Sequence, residues 1–195
     1  MKKAILLFAM KEQEEIAKMN KKIKVVALMG KAGAGKDALL HKIMEKYGDE
    51  FAGIVSCTSR PPREGEVDGV NYHFLTSEQF AEKLMDGDMI EAVVFRDWCY
   101  GTSYDSLDPD KINIGVFNPT SAEILNIDSR IDFKLFYVNV SDKERLLRQL
   151  NRESNPDVDE IIRRFPKDKA DFLDIDVDYI NLDNENIEDF TMAPY

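Results

Sequence analysis

Residues 30–37 read G-K-A-G-A-G-K-D, directly behind the apolar run 23–29 and ahead of a helical pattern. Strand, glycine-rich loop and helix in that order fit a loop that cradles phosphate, and few local features restrict a fold as tightly. Glycines at 30, 33 and 35 let successive backbone N–H groups converge on phosphate oxygens, the next helix presents its positive end, and Lys36 brings a mobile charge. The pattern implies a chain that handles a nucleoside triphosphate, held by Gly30, Ala32, Gly33, Ala34, Gly35, Lys36, Asp37 and Ala38. A glycine-rich turn capped by an aspartate is the bland alternative, and the flanking strand and helix argue against it. The last position is unusual. Such loops commonly end Lys-Ser or Lys-Thr, whose hydroxyl ligates Mg²⁺, whereas Asp37 puts a carboxylate there.

A chain of 195 residues, 44% of them hydrophobic, can bury a substantial core as one domain with insertions. The net charge of −11 argues against broad electrostatic binding to nucleic acid or an anionic membrane, since both want a basic surface. Anionic ligands must then be captured locally. Residues 1–75 hold 13 basic and 10 acidic side chains while 76–195 hold 13 and 27, so positive charge gathers around the loop and the segment just after it. Cys57 and Cys99 are too few for a disulfide scaffold or a metal site, and a reducing cytoplasm is the simplest setting. Residues 1–22 read as an amphipathic extension that packs on the body or a second subunit, with Met19 as an alternative start. Their apolar stretch is too short for a secretion signal, and no other stretch is long enough to span a membrane. The expected state is monomer or homodimer.

Along the chain, strand patterns at 24–28, 52–56, 72–75, 89–95, 112–117, 133–140 and 177–182 are interleaved with helical patterns at 36–47, 76–84, 120–126, 142–151 and 157–172. Pro166 should kink or split the last of these. A short terminal helix is expected at the end. The alternation predicts an α/β fold, a parallel sheet covered by helices, with the phosphate loop at the carboxyl edge of its first strand. Residues 57–107 read as an inserted subdomain between core segments 23–56 and 108–195.

The insertion carries a second constellation. From Ser56 it reads S-C-T-S-R-P-P-R-E-G-E-V-D-G-V-N-Y-H-F, with Arg60 and Arg63 three apart on a proline-stiffened loop. Two guanidinium groups so placed make a preorganised fork for phosphate, and Tyr72 adds a neutral donor. A solvated arginine turn paired with Glu64 and Glu66 is the competing reading. His41 and His73 read as surface or packing residues, because phosphoryl transfer needs no histidine base.

The block S-x-T-x-R-x-x-R-x-G-E-x-x-G-x-x-Y and the triplet Tyr100-Gly101-Thr102, nine residues after Glu91, resemble the guanylate kinase family. The resemblance runs from about residue 23 to residue 187 in family order. It implies a P-loop nucleoside-triphosphatase core of three layers, with an inserted domain that binds the nucleoside monophosphate and a helical lid over about 143–165. It further implies ATP and Mg²⁺ as cofactors and GMP or dGMP as substrate. Arg60, Arg63, Tyr72 and Tyr100 would hold the acceptor's phosphate, and Ser56, Glu91 and Thr102 would face its base. Guanine offers adjacent N1–H and N2–H donors to a carboxylate, whereas adenine presents a lone pair at N1 that Glu91 would repel. Arg152 and Arg164 match the lid arginines best, and Lys36, Arg60, Arg152 and Arg164 would be the catalytic set. A solvated arginine face paired with Glu144, Asp159 and Glu160 is the alternative for the lid.

Three departures from the family pattern stand out. Where the family typically carries two acidic residues separated by one, this chain has Val116-Phe117-Asn118. Asn118 can still accept from guanine N2–H or donate to O6. Asp37 restores a carboxylate near the loop and is the expected Mg²⁺ ligand. The connection from Thr102 to Ile112 is short. Competing functions are a broader deoxynucleoside monophosphate kinase, since a Lys-Asp loop ending resembles some bacteriophage enzymes, and a non-catalytic guanylate kinase-like module that binds proteins.

Overall fold

An apolar run without polar alternation suits a strand covered on both faces. Ile23–Met29 (β1) is such a strand, at the centre of a five-stranded parallel sheet. The computed structural model describes residues 21–183 apart from 64, 96 and 153. Nearly all of the expected N-terminal extension and the whole expected terminal helix lie outside the described residues.

The parallel sheet runs in the order β2 (Phe51–Gly53), β7 (Ile112–Val116), β1, β8 (Ile131–Asn139), β9 (Ile180–Asp183). Because side chains alternate across a strand, Val26 and Leu28 enter one core and Val25, Ala27 and Met29 the other. Helix α1 (Lys36–Tyr47) covers the first face with Leu39 and Ile43, one turn apart and fully buried. Burying each such side chain stabilises the fold by about 1.5–3 kcal/mol. Helix α3 (Pro119–Ile127) covers the second with Ala122 and Leu125. Helices on both faces of a parallel sheet give the expected three layers.

A second sheet is built from residues between β2 and β7, in the order β4 (His73–Phe74), β3 (Cys57–Thr58), β6 (Trp98–Ser103), β5 (Met89–Phe95). Its helix α2 (Ser77–Met85) starts at Thr76, whose side chain and that of Gln79 cap each other's backbone N–H groups. Strand β6 escaped the sequence reading because a central glycine breaks its apolar pattern. Gly101 is there for space: a Cβ would collide with the Glu91 carbonyl and lie 2.6 Å from the Met89 methyl. The expected strand at 52–56 is strand only at 52–53; residues 54–56 link β2, in one sheet, to β3, in the other.

Beyond β8 lie helices α4 (Asp142–Asn151) and α5 (Val158–Asp171). Of the two effects expected of Pro166, a kink or a split, the split does not occur, since α5 runs through it unbroken. The hydrogen bond that proline removes would have gone to Ile162, which is 59% exposed, so water can take the donor's place. An interior helical proline still costs stability. Pro166→Ala is expected to stabilise the protein by about 1–3 kcal/mol, read as a rise in Tm; a fall would show that the proline is fitted to its surroundings.

Candidate active site

The loop after β1 is held open from beneath. Gly33 and Gly35 adopt left-handed backbone (φ 80° and 85°), and a Cβ on Gly33 would approach the Arg145 carbonyl to 2.8 Å. Lys36 folds back so that Nζ donates to the carbonyls of Gly30 (2.8 Å) and Lys31 (3.3 Å). Burial pushes its pKa down, against the opposing pull of the Asp37 and Asp168 carboxylates. A desolvated ammonium of this kind gains from an arriving anion.

Helices α4 and α5 grip the same loop. Arg145 is 1% exposed; its Nε donates to the Ala32 carbonyl (2.9 Å), its Nη1 to Asp142 (2.8 Å) and its Nη2 to Asp168 (2.7 Å), and the guanidinium lies 4.5 Å from the Phe165 ring centre. Arg148 Nη1 donates to the Ala34 carbonyl (3.2 Å). Asp168 Oδ2 also accepts from the Ala32 N–H at 2.9 Å. A carboxylate of α5 thus occupies one of the loop amides that the sequence assigns to phosphate.

On the other side, Glu91 is 7% exposed and hydrogen-bonded at both oxygens: Thr102 Oγ1 donates to Oε1 (2.8 Å) and Ser121 Oγ to Oε2 (2.7 Å). Burial nonetheless pushes its carboxyl above the ordinary carboxylate range, the two hydroxyls pulling the other way. Asn118 is the N-cap of α3, its Oδ1 accepting from the Ser121 N–H at 2.9 Å. Arg60 is buried with Nη2 on Glu66 (2.9 Å) and Nη1 on the Pro61 carbonyl (2.7 Å), 5.7 Å from the ring centres of Tyr72 and Phe74. The same Glu66 takes the Arg63 backbone N–H, while Arg63 itself is exposed.

One cavity of about 790 Å³ joins the two sides. Gly30, Ala32 and Lys36 line it from the loop, Ser56, Tyr72, Glu91 and Tyr100 from the second sheet, and Asn118 from the head of α3. Gly33, Ala34, Gly35, Asp37, Ala38, Arg60, Arg63 and Thr102 are not part of this lining. Asp37 is exposed in the first turn of α1. The two lid arginines are not brought to the cavity. Arg152 is exposed at the end of α4, and Arg164, like Arg163, is tied to Glu160, whose pKa those contacts pull down to about 2. The arginines in contact with the loop are Arg145 and Arg148. Sequence reasoning also missed Ser121 and Asp168; the spacing Asn118-x-x-Ser121 at a helix start is a capping signal that could have found the first. The second lay in a charged helix with nothing to single it out.

A glycine-rich loop at the carboxyl end of a central parallel strand, leading into a helix, defines a P-loop nucleotide-binding protein. The guanylate kinase family model matches residues 22–192, and the chain belongs to that family. It is 42% identical over 82 residues to a guanylate kinase of Schizosaccharomyces pombe, covering 42% of this chain and 41% of that one. It is 34% identical over 138 residues to a guanylate kinase of Chlamydia felis, covering 68% of this chain and 66% of that one. The chain therefore spans about two fifths of the first relative and about two thirds of the second. The crystal structure of guanylate kinase from Anaplasma phagocytophilum shares the fold, with TM-score 0.54 and 20% identity over 88% of this chain and 82% of that one. No helix among the described residues is long and apolar enough to cross a membrane.

Two outcomes are expected. Asp168 and a triphosphate compete for the Ala32 N–H, so Asp168→Asn should tighten binding of a nonhydrolysable nucleoside triphosphate about five- to tenfold, the effect of removing one nearby like charge. Calorimetric titration checks it, and weaker binding would mean that the carboxylate serves to shape the loop. For Glu91 the folded pKa lies above the unfolded value of 4.5. Its contribution to stability is therefore full below the unfolded value and lost as pH rises through the folded one. Glu91→Gln should raise Tm at pH 7, with the advantage shrinking toward pH 4; a lower Tm at pH 7 would contradict this.

Proposed function

We propose that the chain transfers the γ-phosphoryl group of ATP to GMP or dGMP, giving ADP and the nucleoside diphosphate. The observation that carries this is the single cavity lined by Lys36 and the loop on one side and by Glu91, Tyr100 and Asn118 on the other. In the transfer, an oxygen of the acceptor's phosphate forms a bond to the γ-phosphorus as the bond to the ADP oxygen breaks. Such a reaction asks the protein mainly for positioning and charge neutralisation. Lys36 meets the triphosphate and Glu91 takes the guanine N–H donors. Arg60, already beside Tyr72 and Tyr100, exchanges Glu66 for the acceptor's phosphate, with Arg63 at the rim. Arg152 and Arg164 act only if α4 and α5 carry them inward, a closure that would also exclude water.

Among the described residues no group of three or more His, Cys, Asp or Glu could hold a metal ion. Magnesium does not require one, since it is commonly held by one or two carboxylates together with substrate phosphates. Asp37, exposed to solvent and next to Lys36 in the chain, fits as that carboxylate. When bound, Mg²⁺ supplies charge neutralisation at the phosphates.

The test is ADP release with GMP, dGMP, AMP, dTMP and dCMP as acceptors. GMP or dGMP should exceed AMP in kcat/KM by at least about 100-fold, because AMP leaves Glu91 facing a lone pair. Equal rates across the panel would favour the broader kinase, and nucleotide binding without any transfer would favour the binding module.

A further inference from the structure

We propose that Ser121 positions Glu91 for purine selection, and that it does so only while the two sheets are docked; the inference rests on the function proposed above. Glu91 follows an irregularity in β5. Met89 pairs with Ser103 and Glu91 with Thr102, so Ile90 is an extra residue opposite that step. Bulges of this kind re-aim side chains. Ile90 goes into the core that contains Ala122 and Leu125 of α3, and Glu91 into the cavity, directly across from Thr102.

The two donors to Glu91 come from different parts of the fold. Thr102 belongs to its own sheet, whereas Ser121 sits in the first turn of α3, on the face of the parallel sheet. Ser121 is itself fixed, 2% exposed with its N–H on the Asn118 side chain. A carboxylate offers about four lone-pair sites. One on each oxygen is taken by a hydroxyl, leaving one on each for a paired donor, the N1–H and N2–H₂ edge of guanine. Without Ser121, Oε2 is free to swing and the pair of sites loses its fixed direction. Separation of the sheets would have the same effect, so a base is recognised only in the docked arrangement. Asn118 also lines the cavity, and because its Oδ1 is engaged by the cap, the same proposal gives its NH₂ group the role of donor to a 6-oxo group.

The test is Ser121→Ala in the full chain, with KM measured for both nucleotides and kcat/KM compared between GMP and IMP, which lacks the N2 amine. The expected result is a KM for GMP raised about tenfold, a KM for ATP within about twofold of the parent, and a GMP preference over IMP reduced about fivefold. An unchanged KM for GMP overturns the assignment, and a parallel rise in both KM values assigns Ser121 a merely structural role. If the parent protein transfers nothing to GMP, the proposed function fails; if the parent works and the variant matches it, this inference alone fails.

Discussion

A buried carboxylate is stable only where donors meet both oxygens, and Glu91 is met by one hydroxyl from its own sheet and one from helix α3, which covers the other sheet. That pair of hydrogen bonds fixes how the cavity is assembled. Ser121 can reach Glu91 only if the head of α3 lies against β5, and the same contact brings Asn118 and the phosphate loop to the cavity opposite Tyr72 and Tyr100. Burial that raises the pKa of Glu91 works against stability at neutral pH. In the proposed function the same burial would make the carboxylate selective, because a base that leaves it unpaired is strongly disfavoured.

At both phosphate stations the protein places one of its own carboxylates. Asp168 sits on the Ala32 N–H and Arg145, and Glu66 sits on Arg60. Each keeps a cationic or donor group satisfied in a protein whose net charge is strongly negative. In the proposed function nucleotide binding is an exchange of anions, and the acidic excess would not prevent capture because the donors are local and preorganised. Arg145 belongs to this logic as a support. Its guanidinium joins the loop carbonyl at Ala32 to both α4 and α5, so movement of those helices would be felt directly at the loop.

The parallel sheet, the loop and most helices were legible because each rests on local signals: the unbroken apolar run of β1, glycines at fixed spacing, and hydroxyl or acidic caps. What was not legible depends on pairing across the chain. Strand β6 hides behind Gly101, whose reason is the nearness of the Glu91 carbonyl, a contact made by a residue ten positions away. Pro166 reads as a helix breaker unless the exposure of Ile162 is known. Among the arginines of α4 and α5, helical spacing could not separate those that reach the loop from those that do not, since pairing with a carboxylate is no guide: Arg148 pairs with Glu144 and still reaches the loop, whereas Arg164 pairs with Glu160 and does not. Arg145 and Arg148 touch it, whereas Arg152 and Arg164, favoured by motif position, do not.

The central claim is that one cavity holds two nucleotides, with the acceptor's base read by Glu91. It is tested most directly by a crystal structure of the protein with GMP and a nonhydrolysable ATP analogue. The account predicts guanine N1 and N2 about 3 Å from the Glu91 oxygens, the acceptor's phosphate on Arg60 in place of Glu66, and the triphosphate over Lys36. A guanine bound away from Glu91, or an Arg60 still held by Glu66 with both nucleotides present, would contradict it.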